Sequence, residues 1–300
     1  MTRASVRCTA EGVGPDGATI RESSGYNIAG RAGLEFLDDD RQARLVDEAV
    51  ARTVFLLDAT SPSPGEMPVV LAAGPSAILL HEAIGHGMEA DFNRKRISIY
   101  ADKMNQSIAN EQVTIVDDGT IGGARGSINV DDEGNHTERS VLVENGVLRS
   151  YMHDELSAKH YGINPTGSGR RQSFRHAPLP RMRSTVMEPG PHDPQAIIES
   201  VSSGIYCVSF ANGAVHIGGG DFSFYMKTGF LIEDGKLTKP IKDVNIIGNG
   251  PEALARIDMV GNDLVIGEGG WTCGKDGQSV PVSQGMPTVR VSSLVVGGEA

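Results

Sequence analysis

The stretch His81-Glu82-Ala83-Ile84-Gly85-His86-Gly87-Met88-Glu89-Ala90-Asp91 constrains what this chain of 300 residues can fold into more than any other. Two imidazoles and a carboxylate fall within six residues, directly after the apolar run Ala77-Ile78-Leu79-Leu80, which predicts a buried back wall. A zinc-peptidase helix spaces its histidines four apart, so that both share one face. Here the spacing is five, about 500° of rotation, which on a regular helix turns His86 roughly 140° away from His81 and forbids a shared ion. A single π-type turn, or a helix opened at its glycines, would restore the geometry. Gly85 and Gly87 flank His86, where the backbone needs that freedom. The expectation is a distorted helix whose distortion belongs to a metal site; the competing reading is a surface His-Glu pair at a helix end.

A third candidate ligand stands near the C-terminus, in Gly267-Glu268-Gly269-Gly270-Trp271-Thr272-Cys273-Gly274-Lys275-Asp276-Gly277. A cysteine between glycines has little packing role, and a thiolate suits zinc beside two imidazoles. With His81-Glu82 and His86, this stretch resembles the TldD/PmbA family of bacterial and archaeal metallopeptidases, in its TldD-type branch. The resemblance runs on through Arg125-Gly126-Ser127-Ile128-Asn129-Val130-Asp131-Asp132-Glu133-Gly134, Pro165-Thr166-Gly167-Ser168-Gly169-Arg170-Arg171 and Ile246-Ile247-Gly248-Asn249-Gly250, from Glu66 onward. It implies zinc held by His81, His86 and Cys273, and Glu82 as general base. It also implies hydrolysis of short or unfolded peptides, including leader removal, in a heterodimer with a TldE-like homologous subunit. Family members carry a longer N-terminal α+β lobe, of which this chain would keep only the last hairpin and helix.

The expected organisation is therefore α+β. Residues 1–62 close an N-terminal α+β lobe; residues 63–300 form a β-rich, mainly antiparallel catalytic lobe with a metal-binding helix. Glycine, at 38 residues, is well above the usual share of about 7% and predicts many tight turns. A formal charge of −11 argues against a nucleic-acid surface, which needs clustered Lys and Arg. No apolar run approaches the roughly 18 residues of a membrane span. Three cysteines, Cys8, Cys207 and Cys273, are odd in number and far apart. No disulfide pattern follows, and a reducing cytoplasm fits.

Along the chain, a hairpin is expected over Val6 to Glu11 and Ala18 to Ser23 around Gly14-Pro15-Asp16-Gly17. A helix follows the acidic Asp38-Asp39-Asp40, with Leu45, Val46, Ala49, Val50, Val54 and Leu57 as its apolar face. Ser61-Pro62-Ser63-Pro64-Gly65 reads as a linker. Val69 to Ala73 reads as a core strand, and Ser76 as the N-cap of the metal helix. Asn145-Gly146 and Asp234-Gly235 mark hairpin tips. Helices are expected over Asp154 to His160, closed by Gly162, and Pro194 to Ser202, closed by Gly204. Strands are expected over Ile205 to Phe210, Ala214 to Ile217 and Phe222 to Met226, with a last one over Thr288 to Val296. Cys273 falls in a loop between late strands.

Glu89 and Asp91 are candidate acceptors for the histidine ring N–H groups. Arg170 and Arg171 are either substrate or oxyanion contacts or structural ion pairs. The acidic run Asp131-Asp132-Glu133-Gly134 lacks EF-hand spacing and reads as a turn. His216 is the reserve ligand should Cys273 not serve, and Cys8 and Cys207 read as buried small hydrophobes. The alternative to a peptidase is a non-catalytic binding or scaffold subunit whose site does not assemble.

Overall fold

The structure is a computed structural model that describes residues 1–14 and 17–297. The chain opens on an antiparallel hairpin, Thr2–Val13 with Thr19–Gly30, whose first strand extends past the expected one at both ends and whose second starts one residue later but runs seven residues further. Pro15 and Asp16 of its expected turn lie outside the described residues. One face of the hairpin is covered by the helix Asp39–Asp58, capped by Asp38, whose side chain accepts from the Arg41 amide at 2.8 Å. The helix buries Leu45, Ala49, Thr53 and Leu56. Val46, Val50 and Val54, assigned above to the apolar face, are exposed instead. Two apolar stripes run side by side on this helix, one residue out of phase, and the hairpin covers only one.

The core beyond it is built on a closed ring of five strands. Gly65–Leu71 pairs in parallel with Ser203–His216 and antiparallel with Val289–Gly297. Val289–Gly297 pairs with Val244–Asn249, which pairs with Asp221–Glu233, which returns to Ser203–His216. Closure leaves no unpaired edge within the ring. It brings Val69, Ile205, Phe224, Ile246 and Val296 into one core, each fully buried side chain contributing up to about 1.5–3 kcal/mol. The two strands expected at Ile205 to Phe210 and Ala214 to Ile217 are one strand, interrupted only by bulges between Cys207 and Asn212.

A second, six-stranded sheet runs in the order Val265–Ile266, Ser283–Met286, Ser184–Met187, Ile115–Asp118, Arg139–Glu144 and Val147–Leu148. The last two strands form the hairpin expected at Asn145-Gly146, whose φ values of 47° and 78° fit that turn; Asp234-Gly235 does the same at 50° and 74°. Gly162 closes the helix Glu155–Tyr161 in a left-handed conformation. Gly204 does not close the helix Pro194–Glu199, because it already lies in the long barrel strand. The β-rich α+β architecture matches the expectation, and among the described residues two strand pairs are parallel.

The hairpin and helix are tied to the rest of the chain. Lys242 bonds Glu22 and the Leu56 carbonyl, and Arg44 pairs with Glu268. Ala29 N–H donates to the Glu268 carbonyl at 2.7 Å.

Candidate metal centre

The segment carrying the histidines leaves the C-terminal end of the strand Gly65–Leu71. Gly74, at φ 82°, turns the chain, and Pro75 sets the first helical residue. Ser76 is not the N-cap: it is buried inside the first turn, and its hydroxyl points to the Cys207 carbonyl at 3.4 Å. After one α-helical turn, Ile78–Leu80, the chain widens into a π-helical turn over His81–Gly85. Its defining bond runs from the His86 amide to the His81 carbonyl, five residues back. The extra residue carries His86 round to the side of His81, and their ring centroids lie 4.9 Å apart at 85°.

The glycines work by contact. A Cβ at Gly85 would overlap Met182 Sδ, and one at Gly87 would stand 2.6 Å from the Tyr100 ring. Tyr100 closes over the widened turn, its hydroxyl donating to the Ala83 carbonyl at 2.7 Å.

Cys273 does not lie in a loop. It sits in the short hairpin Thr272–Lys275 with Gln278–Pro281, opposite Val280, and Asp276-Gly277 makes the turn. Strand alternation points Cys273 and Lys275 inward together. Cys273 Sγ stands 3.6 Å from His86 Nε2. The ligand-capable atoms of His81, His86 and Cys273 all lie within 4.8 Å of one another. Burial pushes the Cys273 thiol up, but the facing His81 and His86 imidazoles bring it down to about 5, so the thiolate is favoured at neutral pH.

A ring of buried charge supports the three. Glu89 Oε2 accepts from His86 Nδ1 at 3.0 Å, leaving Nε2 to face the thiolate. Burial raises the Glu89 carboxyl, yet Lys275, His86 and Arg181 outweigh it and hold it below its ordinary value. Burial opposes protonation of His86, but the Glu89 charge and Cys273 raise it well above the ordinary imidazole value. Asp91 is not a histidine acceptor: it takes Lys275 Nζ at 2.7 Å, and burial holds its carboxyl above the ordinary value. Arg181 donates from Nη2 to the Cys273 carbonyl at 2.7 Å. Lys275 and Arg181 were missed in the sequence; for Lys275, the two-residue alternation from Cys273 was the available signal.

Glu82, beside His81, lines a cleft of about 470 Å³ with His81, His86, Phe92, Thr272 and Lys275. Two imidazole nitrogens and a thiolate make a soft-to-borderline donor set that fits zinc better than a hard oxygen-seeking cation. A larger cavity of about 600 Å³ contains none of the three ligands but shares Trp271 and Thr272 with the smaller space around His81 and Glu82.

Other candidates fall away from this centre. His216 accepts at Nδ1 from the Gly219 amide and is not in the cluster. Arg170 is buried, bracing the Met182 and Pro281 carbonyls, and Arg171 pairs with Asp132. Asp131 accepts from the amides of Glu133, Asn135 and Gly169, as a structural turn does. Cys207 is buried, whereas Cys8 is only half-buried on the hairpin. Among the described residues no helix is long and apolar enough to cross a membrane.

Comparison with known proteins adds to this geometry. A family model described as the PmbA/TldA metallopeptidase C-terminal domain matches residues 64–298. A Buchnera aphidicola protein named metalloprotease TldD homolog is 45% identical over 251 residues, covering 84% of this chain and 52% of that protein. A Saccharolobus solfataricus protein named zinc metalloprotease TldD homolog is 35% identical over 248 residues, covering 82% of this chain and 55% of its own length. The crystal structure of TldE from Thermococcus kodakarensis superposes with a TM-score of 0.74 at 21% identity, covering 99% of this chain and 63% of that one. The chain thus spans about half the length of the curated relatives it matches.

Proposed function

The chain belongs to the PmbA/TldD metallopeptidase family, and from that premise we propose that it hydrolyses peptide bonds with a zinc ion held by His81, His86 and Cys273. The observation that carries this reading is the convergence of two ring nitrogens and one thiolate sulfur within 4.8 Å, with Glu82 beside them on an open cleft. When bound, zinc supplies Lewis-acid polarisation of the scissile carbonyl and acidifies the attacking water.

The chain's own residues do the rest. Glu82 takes the proton of the attacking water and returns it to the leaving amine, the work of a general base turned general acid. Glu89 fixes the His86 ring and its tautomer. Cys273 is anionic before metal arrives because its imidazole neighbours favour the thiolate. Residues 1–62 are assigned to the end of a preceding lobe and residues 63–300 to the catalytic lobe. Short or unfolded peptides, as in leader removal, are the proposed substrates, selected by main-chain pairing with a sheet edge. A TldE-like homologue is the proposed partner. A reducing cytoplasm, which preserves the thiolate, is the proposed compartment.

Metal analysis of the purified chain, wild type beside Cys273→Ala and Glu82→Gln, tests the reading. The expected result is about one zinc per wild-type chain, lost in Cys273→Ala. Glu82→Gln should keep the zinc and lose peptide turnover. Bound zinc without hydrolysis, alone or with a TldE-like subunit, would favour the binding or scaffold alternative.

A further inference from the structure

The cavity of about 600 Å³ next to the metal centre is lined by Arg3, Arg44 and Arg52, and among the described residues the one carboxylate on its wall is Glu268. An adjoining cavity of about 390 Å³ shares Arg3 and Arg52 and adds Arg7 and Lys227. Some of these cations are already matched: Arg44 pairs with Glu268, Arg52 with Glu48, and Lys227 with Asp243. Arg3 and Arg7 are exposed, and no ion pair involving either is formed among the described residues. In a chain of net charge −11, a groove with this lining is a local reversal of sign.

A second cation lies behind the groove and reaches it through Thr272 rather than lining it. Arg125 is 9% exposed, and its Nε and Nη1 have no hydrogen-bond partner among the described residues. Its remaining nitrogen, Nη2, donates to the Thr272 hydroxyl at 3.2 Å. Burial and then the charge of Arg3 weaken its hold on a proton, so the positive field of Arg3 is felt at Arg125. Buried cations are normally paired, and an unpaired buried guanidinium is a cost that an anion held nearby would reduce. Thr272, which Arg125 touches, precedes Cys273 and lines the cleft with His81 and Glu82.

We infer that Arg3 and the Thr272 hydroxyl, backed by the buried charge of Arg125, form a carboxylate-recognising subsite of the cleft that selects peptides carrying acidic residues near the bond to be cut. A carboxylate can take two parallel N–H donors from a guanidinium, and a groove walled by protein strengthens that attraction over the same pair in open water. The inference rests on the peptidase reading for the nature of the ligand, but it can be measured without turnover.

The test is fluorescence anisotropy of two labelled ten-residue peptides, identical except for Glu-Asp or Gln-Asn at the centre, binding to the whole chain in EDTA. The acidic peptide is expected to bind about tenfold more tightly at low salt, one decade per 1.4 kcal/mol, with the advantage shrinking as salt screens the groove. Arg3→Glu, an exposed change, should abolish that preference and improve binding of a matched Lys peptide. Arg125→Gln should weaken the acidic peptide alone. Arg139→Gln, which removes a distant surface cation paired with Glu188, should leave the preference intact. Equal affinity for both peptides, a preference that survives Arg3→Glu, or an equal loss in Arg139→Gln would overturn the subsite. Tighter binding of a single-stranded oligonucleotide of equal charge would also overturn it, by assigning the groove to phosphate. Because nothing is cleaved in this assay, its failure leaves the proposed hydrolysis standing, and a failure of hydrolysis leaves the subsite testable.

Discussion

His86 Nδ1 lies 3.0 Å from Glu89 Oε2, and the carboxylate that receives it is wholly buried between Lys275 and Arg181. This one contact sets which imidazole nitrogen faces Cys273, so the metal site depends on a residue that does not touch the metal. Glu89→Gln keeps the size of the side chain and removes the charge that holds the tautomer. Zinc affinity, measured by competition with a chromophoric chelator, should fall about 10–100-fold. An unchanged affinity would mean that the ring is held by packing alone.

Removing the carboxylate altogether has a second consequence. Glu89→Ala leaves Lys275 and Arg181 with one buried counter-charge fewer, and breaking a buried pair from one side costs about 3–5 kcal/mol. Urea denaturation of the metal-free protein should show that loss for Glu89→Ala and a smaller one for Glu89→Gln.

The depressed Cys273 thiol predicts a spectroscopic signature in metal-free protein. Thiolate absorbance near 240 nm should be present at pH 7, disappear on acidification through about 5, and be missing in Cys273→Ser. Burial pushes Cys207 the other way, so it does not contribute. A thiol whose folded value is lowered stabilises the fold fully above its ordinary value of 9.0 and loses that contribution as pH falls through about 5. His86 does not offset the loss, because a group with a raised folded value already contributes in full below its ordinary 6.5. Acidification from pH 7 to 4 should therefore lower the melting temperature more in wild type than in Cys273→Ser.

How much of this was legible follows from the range of each interaction. The π turn could be read because its sequence signal is local: a spacing of five between the histidines, and glycines on both sides of the second. The pairing of Cys273 with His86 spans 187 residues, and only the resemblance to a known family joined them. In the sequence the hairpin that carries Cys273 reads as a loop because glycine dilutes a short strand, although Asp276-Gly277 is a turn signal. The helix Asp39–Asp58 carries two adjacent apolar stripes, and periodicity cannot say which of them the hairpin covers. Barrel closure depends on five pairings, of which only Ser203–His216 with Asp221–Glu233 is a hairpin marked by its glycine turn; the other four join strands apart in sequence and leave no local mark.

The last prediction concerns the glycine inside the turn. Gly85 faces Met182, and the methyl group of Gly85→Ala would overlap Met182 Sδ. Met182 is fully buried, and its neighbours Arg181 and Arg183 are both pinned in buried hydrogen bonds, Arg183 donating to Asp117 at 2.7 Å. The methionine therefore cannot withdraw by moving its backbone; only its flexible side chain can yield. Overpacking of this kind costs about 1–3 kcal/mol, which urea denaturation would register as a lower midpoint with an unchanged slope. Gly85→Ala combined with Met182→Ala makes room for the methyl group, while Met182→Ala alone leaves a cavity. If the clash is the cause, the double variant should be more stable than the sum of the two single losses, a coupling of about 0.5–3 kcal/mol. Zinc affinity should follow the same pattern, since the turn that accommodates Gly85 is the one that brings His86 beside His81. Strict additivity would place the effect of Gly85→Ala in the backbone of the π turn rather than in its contact with Met182.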